Sequence, residues 1–209
     1  MQLEAKNIGF RYRKKPWLFR NFNLTLNSGE ILGLKGQSGC GKTTLARVLA
    51  GYEKALEGSI ELGGAPLPKG RYSGVQLVFQ HPEKSVNPRW HMRDILQEGW
   101  RPDEEVLARF GIQPEWLSRW PNELSGGELQ RFCVVRALSP ETKFLIADEM
   151  TAMLDAITQA QIWQVMLALA KERNLGILVV SHEAELVNRV CDRVIELDSV
   201  HFERNSSVS

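Results

Sequence analysis

No charge of one sign dominates this chain. Its 26 lysines and arginines stand against 25 aspartates and glutamates, a net of +1 at neutral pH, so it offers no broad basic field to nucleic acid or to anionic lipid. Cysteine is scarce as well. Cys40, Cys133 and Cys191 are scattered without metal-ligand spacing, which argues against a disulfide framework or a zinc cluster and for a reducing cytosol. No apolar run approaches the roughly 18 residues that a membrane span requires. The opening stretch MQLEAKNIGFRYRKK lacks the apolar segment of a signal peptide, so any membrane association is expected to come through a partner. Repeats are missing, and the polar tail Asn205 to Ser209, expected to fray, is the one low-complexity segment. The 209 residues then suffice for one substantial core, or a core with a small insertion.

What is present starts with Gly36 to Thr43, GQSGCGKT. A glycine, four free positions, then glycine, lysine and a hydroxyl residue is the pattern of a phosphate-binding loop. Gly36, Gly39 and Gly41 let the backbone turn tightly, so that successive N–H groups along Gln37, Ser38 and Cys40 point at one set of phosphate oxygens. Lys42 neutralises the β and γ phosphates, Thr43 offers a hydroxyl to Mg²⁺, and the helix that continues through Thr44 adds the positive end of its dipole. The flanks agree: Ile31 to Leu34 reads as a buried strand, and Leu45, Val48 and Leu49 repeat at helical spacing up to Gly51. Kinases, GTPases, helicases and transport ATPases all use such a loop, so it names a nucleotide and no function.

Leu3, Ala5, Ile8 and Phe10, then Phe22, Leu24 and Leu26, alternate as strands of a half-buried antiparallel sheet, with Tyr12 between them able to stack on a base or simply to stand exposed at a strand end. Gly58 to Leu62 and Val75 to Phe79 read as further strands, and Gln80 follows the second, where its amide can accept from a metal-bound water. Pro82 and Pro88 make HPEKSVNPRW a loop ahead of helices near Met92 to Gly99 and Asp103 to Phe110. Trp90, Trp100, Trp116 and Trp120 crowd this region, as the core of a helical insertion or as a docking surface. Next, LSGGELQR places Ser125, Gly126, Gly127 and Glu128 at a helix N-terminus, a second anion-binding end by the same physics as the first.

The run KFLIADE, Lys143 to Glu149, is a continuous apolar strand closed by two carboxylates. Asp148 can hold Mg²⁺ through water, and Glu149 can orient or deprotonate the attacking water. After a loop from Thr151 to Asp155, Thr158 to Arg173 reads as a helix and Ile177 to Val180 as one more buried strand. His182 stands just past that strand, where ligands gather in open α/β sheets.

GQSGCGKT, Gln80 after a strand, LSGGELQR, FLIADE and His182, in that order, resemble the ATP-binding subunit of an ABC transporter over nearly the whole chain. The resemblance implies adenine stacking by Tyr12, a catalytic set of Lys42, Gln80, Glu149 and His182, and Mg²⁺ held by Thr43, Gln80 and Asp148. It also implies that Ser125 to Glu128 and Asp155 complete the ATP site of a second such subunit, self or related. HPEKSVNPRW and DAITQAQIW resemble the peptide and nickel importer branch. Met150, Ala152 and Met153 depart from the proline, serine and alanine usual there, and the segment from Gln80 to Leu124 is short, which implies fewer contacts to a membrane subunit.

The expected fold is α/β, a P-loop NTPase of the ABC ATPase type. It is one domain over 1–209, with a parallel-sheet core in 1–79 and 139–209, an antiparallel subdomain formed mainly by the N-terminal strands, and a helical insertion at 80–138. The expected function is ATP hydrolysis that powers import of a small solute of the peptide, nickel or metal-chelate class. The partners implied are transmembrane permease subunits and, indirectly, an extracytoplasmic solute-binding protein, with the chain peripheral on the cytoplasmic face of the cell membrane. A soluble ABC-type ATPase acting on nucleoprotein is the alternative, and no basic patch or coiled-coil insertion favours it. A small-molecule kinase leaves LSGGELQR unexplained.

Overall fold

The computed structural model describes residues 1–68 and 72–197. The chain runs β1 (Gln2–Phe10), β2 (Phe19–Asn27), β3 (Ile31–Lys35), α1 (Lys42–Leu49), β4 (Glu57–Leu62), β5 (Ala65–Pro66), β6 (Val75–Val78), α2 (Met92–Gly99), α3 (Glu104–Arg109), α4 (Gly126–Ala137), β7 (Phe144–Asp148), α5 (Ala156–Arg173), β8 (Gly176–Val180), α6 (Ala184–Val190) and β9 (Arg193–Glu196).

Strands that alternate apolar and polar residues build one sheet, and strands that are apolar throughout build the other. In β1 and β2 the alternating set Leu3, Ala5, Phe22, Leu24 and Leu26 is buried and the intervening residues face solvent, as a sheet with one wet face requires. These strands pair antiparallel in a four-stranded sheet of order β2-β1-β4-β5. The sequence points mainly to the N-terminal strands here, yet two of the four strands come after the phosphate loop. By contrast β7 and β8 are buried along their full length. They lie in a five-stranded parallel sheet of order β6-β7-β8-β3-β9. Helix α1 packs between the two sheets, its Leu45, Val48 and Leu49 joining Leu3, Phe19 and Leu34 in one core. The other face of the parallel sheet carries α2, α4 and α5, through Ile95, Phe132, Ile162 and Met166.

Element ends move by a residue or two from the sequence reading, each for a local reason. Helix α5 starts at Ala156, because the Asp155 side chain accepts from the N–H groups of Ile157 and Thr158. Asp103 caps α3 in the same way, at 2.8 Å from the Val106 N–H. In HPEKSVNPRW a 3-10 turn forms at Pro82–Lys84, since a proline at a first helical position removes an N–H that would be unpaired there anyway. The tryptophans divide. Trp100 donates from Nε1 to the Val135 carbonyl at 2.8 Å and packs, with Trp116, on the helical core. Trp90 and Trp120 are about 40% exposed, at 40% and 39%. Helix α6 and strand β9 were not expected, and the tail Asn205 to Ser209 lies outside the described residues.

Candidate active site

Parallel strands all finish on the same edge, and β3, β6, β7 and β8 are neighbours in one sheet. Each expected core residue of the site sits at one of these ends: Gly36 to Thr43 after β3, Gln80 after β6, Asp148 and Glu149 at β7, and His182 after β8. The topology thus brings together positions more than a hundred residues apart on the edge where open α/β sheets bind ligands.

The phosphate loop enters α1 through Gly41 at φ +100°, with Gly39 at +81°, in the left-handed region that glycine adopts at little cost. The N-cap of α1 is Gly41, which has no side chain to cap the helix, and this suits leading N–H groups that are to meet a bound anion. Lys42 is buried and donates from Nζ to the carbonyls of Gly36 at 2.7 Å and Gln37 at 2.9 Å. The loop therefore holds its own cation. Thr43 Oγ1 donates to Asp148 Oδ1 at 3.2 Å. Burial pushes the Asp148 carboxyl up to about 6 and the neighbouring Glu149 charge adds to this, against the Thr43 hydrogen bond and the charges of Arg47 and Lys42. A hydroxyl and a carboxylate are hard oxygen donors, suited to Mg²⁺. Among the described residues no group of three or more His, Cys, Asp and Glu could hold a metal. A cation here must complete its shell from water and substrate oxygens, as Mg²⁺ commonly does.

Glu149 adopts φ +48°, an uncommon conformation for a residue with a side chain. Its N–H donates to the Val180 carbonyl at 2.9 Å, which ties the end of β7 to the end of β8. Its Oε1 lies 3.1 Å from His182 Nδ1, with the carboxylate mostly buried and the imidazole exposed. Gln80 shares a cleft of about 400 Å³ with Thr43, Asp148, Arg47 and Phe79. Tyr12 donates to or accepts from Thr44 Oγ1 at 3.2 Å and stands edge-on to Phe10 at 5.0 Å, which pins the ring beside α1.

Ser125 to Glu128 lie elsewhere. They line a separate cavity of about 500 Å³ with Asp155 and Thr158, and no phosphate-loop residue borders it. Ser125 and Glu128 form a reciprocal capping box on α4, with Ser125 N–H to Glu128 Oε2 at 2.7 Å and Glu128 N–H to Ser125 Oγ at 3.3 Å. The two glycines differ. A Cβ on Gly127 would meet Thr158 Cγ2 at 3.1 Å, whereas one on Gly126 would meet nothing within 4 Å. Packing accounts for Gly127, whereas the space in front of Gly126 is open. Asp155 caps α5 beside them, its carboxyl held below the usual range by the Thr158 backbone and side-chain hydrogen bonds. Of the three departures from the usual sequence, Met150 is buried in the helical core and Met153 is 69% exposed.

Two polar links carry no local sequence signature. Gln130 is buried on α4 and donates from Nε2 to the Phe79 carbonyl at 3.2 Å, while its Oε1 has no partner among the described residues. Thr151 Oγ1 accepts from Gln159 Nε2 and Trp163 Nε1, both at 3.1 Å, and the same Gln159 nitrogen reaches Glu183 Oε2 at 3.2 Å. Gln159 and Trp163 are four apart on α5, hence on one face, but their partners lie in other loops and no short-range pattern marks them.

Comparison with known proteins identifies the family. The family model described as ABC transporter matches residues 19–152. The nickel import ATP-binding protein NikE of Escherichia coli (strain K12) is 37% identical over 201 residues, covering 87% of this chain and 75% of that protein. Among solved structures, a dimeric bacterial ABC transporter cassette superposes with a TM-score of 0.78 at 24% identity, covering 93% of both chains. A putative metal-chelate type ABC transporter in an inward-facing conformation gives 0.75 at 27% identity, covering 93% of this chain and 79% of that one. No described helix is long and apolar enough to cross a membrane. The chain belongs to the ABC transporter family, as an ATP-binding and ATP-hydrolysing subunit.

Proposed function

We propose that this subunit binds Mg²⁺ with ATP at the ends of β3, β6, β7 and β8 and that its hydrolysis drives import of a small solute of the peptide, nickel or metal-chelate class. The observation that carries the site is the pairing at adjacent strand ends, Thr43 with Asp148 at 3.2 Å and Glu149 with His182 at 3.1 Å. The solute class is supported by the 37% identity to a nickel import ATP-binding protein and by the likeness to a putative metal-chelate transporter.

In this reading Lys42 and the N–H groups of Gln37 to Thr44 bind the phosphates, and a phosphate oxygen takes over one of the bonds that Lys42 now makes to Gly36 and Gln37. Tyr12 stacks on adenine. Thr43, Asp148 and Gln80 hold Mg²⁺, which supplies positive charge against the phosphates. Glu149 positions and deprotonates the attacking water, and His182 fixes the Glu149 carboxylate through its 3.1 Å contact. Ser125, Gly126, Gly127, Glu128 and Asp155 face the ATP of a second subunit, which accounts for the open space in front of Gly126. Residues 80–138 act as a helical insertion that presents the exposed Trp90 and Trp120 to a transmembrane permease subunit on the cytoplasmic face of the membrane. A solute-binding protein contributes from the far side.

Glu149→Gln tests the core of this. The amide preserves size and hydrogen bonding and removes the base, so ATP still binds while turnover falls by about 10²-fold or more. Turnover equal to the unmodified chain removes Glu149 from its role.

A further inference from the structure

We infer that Gln159 is a positioning residue for hydrolysis, a single amide that locks the loop following Glu149 to the loop carrying His182. The inference rests on the proposed roles of those two residues. The side-chain hydrogen bonds of Gln159 go to their neighbours instead. Its NH₂ group has two protons, and Nε2 stands 3.1 Å from Thr151 Oγ1 and 3.2 Å from Glu183 Oε2, so each proton has one acceptor. Thr151 is two residues beyond Glu149 and Glu183 is the neighbour of His182.

The rest of the network makes this a fixed strut. Thr151 is 2% exposed, and its hydroxyl oxygen also accepts from the indole N–H of Trp163, itself 4% exposed. Both lone pairs of that oxygen are then used, and its own proton remains free to donate. Ser181 Oγ accepts from the Glu183 N–H at 3.0 Å, which holds the other end. Gln159 and Trp163 project from one face of α5, a helix of 18 residues packed on the core. Between the two loops themselves, the described backbone link is Glu149 N–H to Val180 carbonyl at 2.9 Å, and the side-chain link is the Glu149–His182 contact. Glu149 is held at φ +48°, so its carboxylate depends on what the following loop does. A displacement of about 1 Å in a reacting group costs about 10²-fold in rate. The strut limits that displacement without contacting nucleotide.

The test compares kcat and KM for ATP in the full chain carrying Gln159→Leu, Gln159→Glu, the pair Gln159→Glu with Glu183→Gln, and Glu149→Gln as the reference for the site. Gln159→Leu is expected to lower kcat about tenfold and leave KM within about twofold, because nucleotide contacts are untouched. Gln159→Glu is expected to lose more, since it sets two carboxylates together and withdraws both donors. The paired change reverses the polarity of the bridge: the new amide at 183 donates to the new carboxylate at 159, and Thr151 turns its spare proton to the same carboxylate. It is expected to recover to within about threefold of the unmodified kcat, a rescue that general loss of packing would not give. The bridge is overturned if the pair is no better than Gln159→Glu alone, if Gln159→Leu keeps full kcat, or if KM rises as much as kcat falls. Should Gln159→Leu fail to fold, the rescue decides alone. Full turnover by Glu149→Gln overturns the site reading beneath it, whereas an inactive Glu149→Gln beside normal Gln159 variants overturns only the bridge.

Discussion

Helices α1 and α4 both begin at glycine-rich turns, yet they treat their first N–H groups in opposite ways. At α1 the N-cap is a glycine that offers no side-chain cap, and a buried cation and a buried carboxylate crowd its mouth. At α4 the Ser125–Glu128 box satisfies the N–H groups of Ser125 and Glu128 from within, and Gly126 faces open space. The first end is organised around a charge that must come from elsewhere. The second is capped in part by its own side chains and is presented outward at Gly126.

The sharpest way to break that contrast is to disable each end separately. Lys42→Ala and Ser125→Arg are each expected to reduce ATPase activity to background, because every site of a symmetric dimer then lacks one component. An equal mixture is expected to regain about a quarter of the unmodified activity, since half the dimers are mixed and each of these keeps one good site of two. Proven mixed dimers without activity would rule out independent shared sites.

A second pair of variants reads stability instead of turnover. Asp148 has its carboxyl raised to about 6 by burial, so between about pH 4 and pH 6 the folded chain holds this proton more tightly than the unfolded chain. Stability from this group is therefore present at low pH and lost as pH rises through that window, by about 3 kcal/mol for a shift of about two units. Chemical denaturation in divalent-free buffer should show Asp148→Asn gaining on the unmodified chain by about that amount from pH 4 to pH 6. Ser125→Ala should move the other way, losing about 0.5–2 kcal/mol with its cap. If Asp148→Asn gained nothing, the mouth of α1 would carry no stored cost and the contrast would fail.

The smallest effect separates two adjacent glycines. Gly126→Ala leaves the chain's own packing untouched and is expected to keep its melting temperature while turnover drops several-fold, to roughly a tenth at most, as a methyl enters the space where a phosphate is proposed to sit. Gly127→Ala presses on Thr158 at 3.1 Å and is expected to lower the melting temperature by a few degrees, about 1 kcal/mol. Equal thermal losses in both would mean that the outward face of Gly126 has no special role.

How legible each part was follows from the range of the contacts involved. GQSGCGKT is one turn and one helix start, so its chemistry is written within eight consecutive residues. The same holds for Asp148 and Glu149, because a continuous apolar run can end only at the sheet edge. Strand β9 escaped notice since Arg193 to Glu196 is largely exposed and carries no apolar run. It forms by pairing in parallel with β3, and Asp192 adds a link by accepting from the Ile31 N–H at 2.7 Å, a partner 161 residues away. Gln159 reads as an ordinary polar position on a helix, and only the fold supplies Thr151 and Glu183. The tryptophans divided between core and surface because size alone favours burial in both settings. Trp100 found a carbonyl for its indole N–H, and that bond draws it in.

The strand order has a consequence for how the chain is made. Strand β3, which delivers the phosphate loop, lies in the sheet between β8 and β9. Both neighbours are synthesised after residue 175. At roughly 5–20 residues per second, about 10–30 s pass on the ribosome between the emergence of β3 and that of its first partner. Throughout that interval the loop is attached to a strand with open edges, and His182 does not yet exist. The set of strand ends that frames the nucleotide site is therefore incomplete until β8 has been made. Hydrolysis as proposed thus waits at least until β8 and His182 have been made.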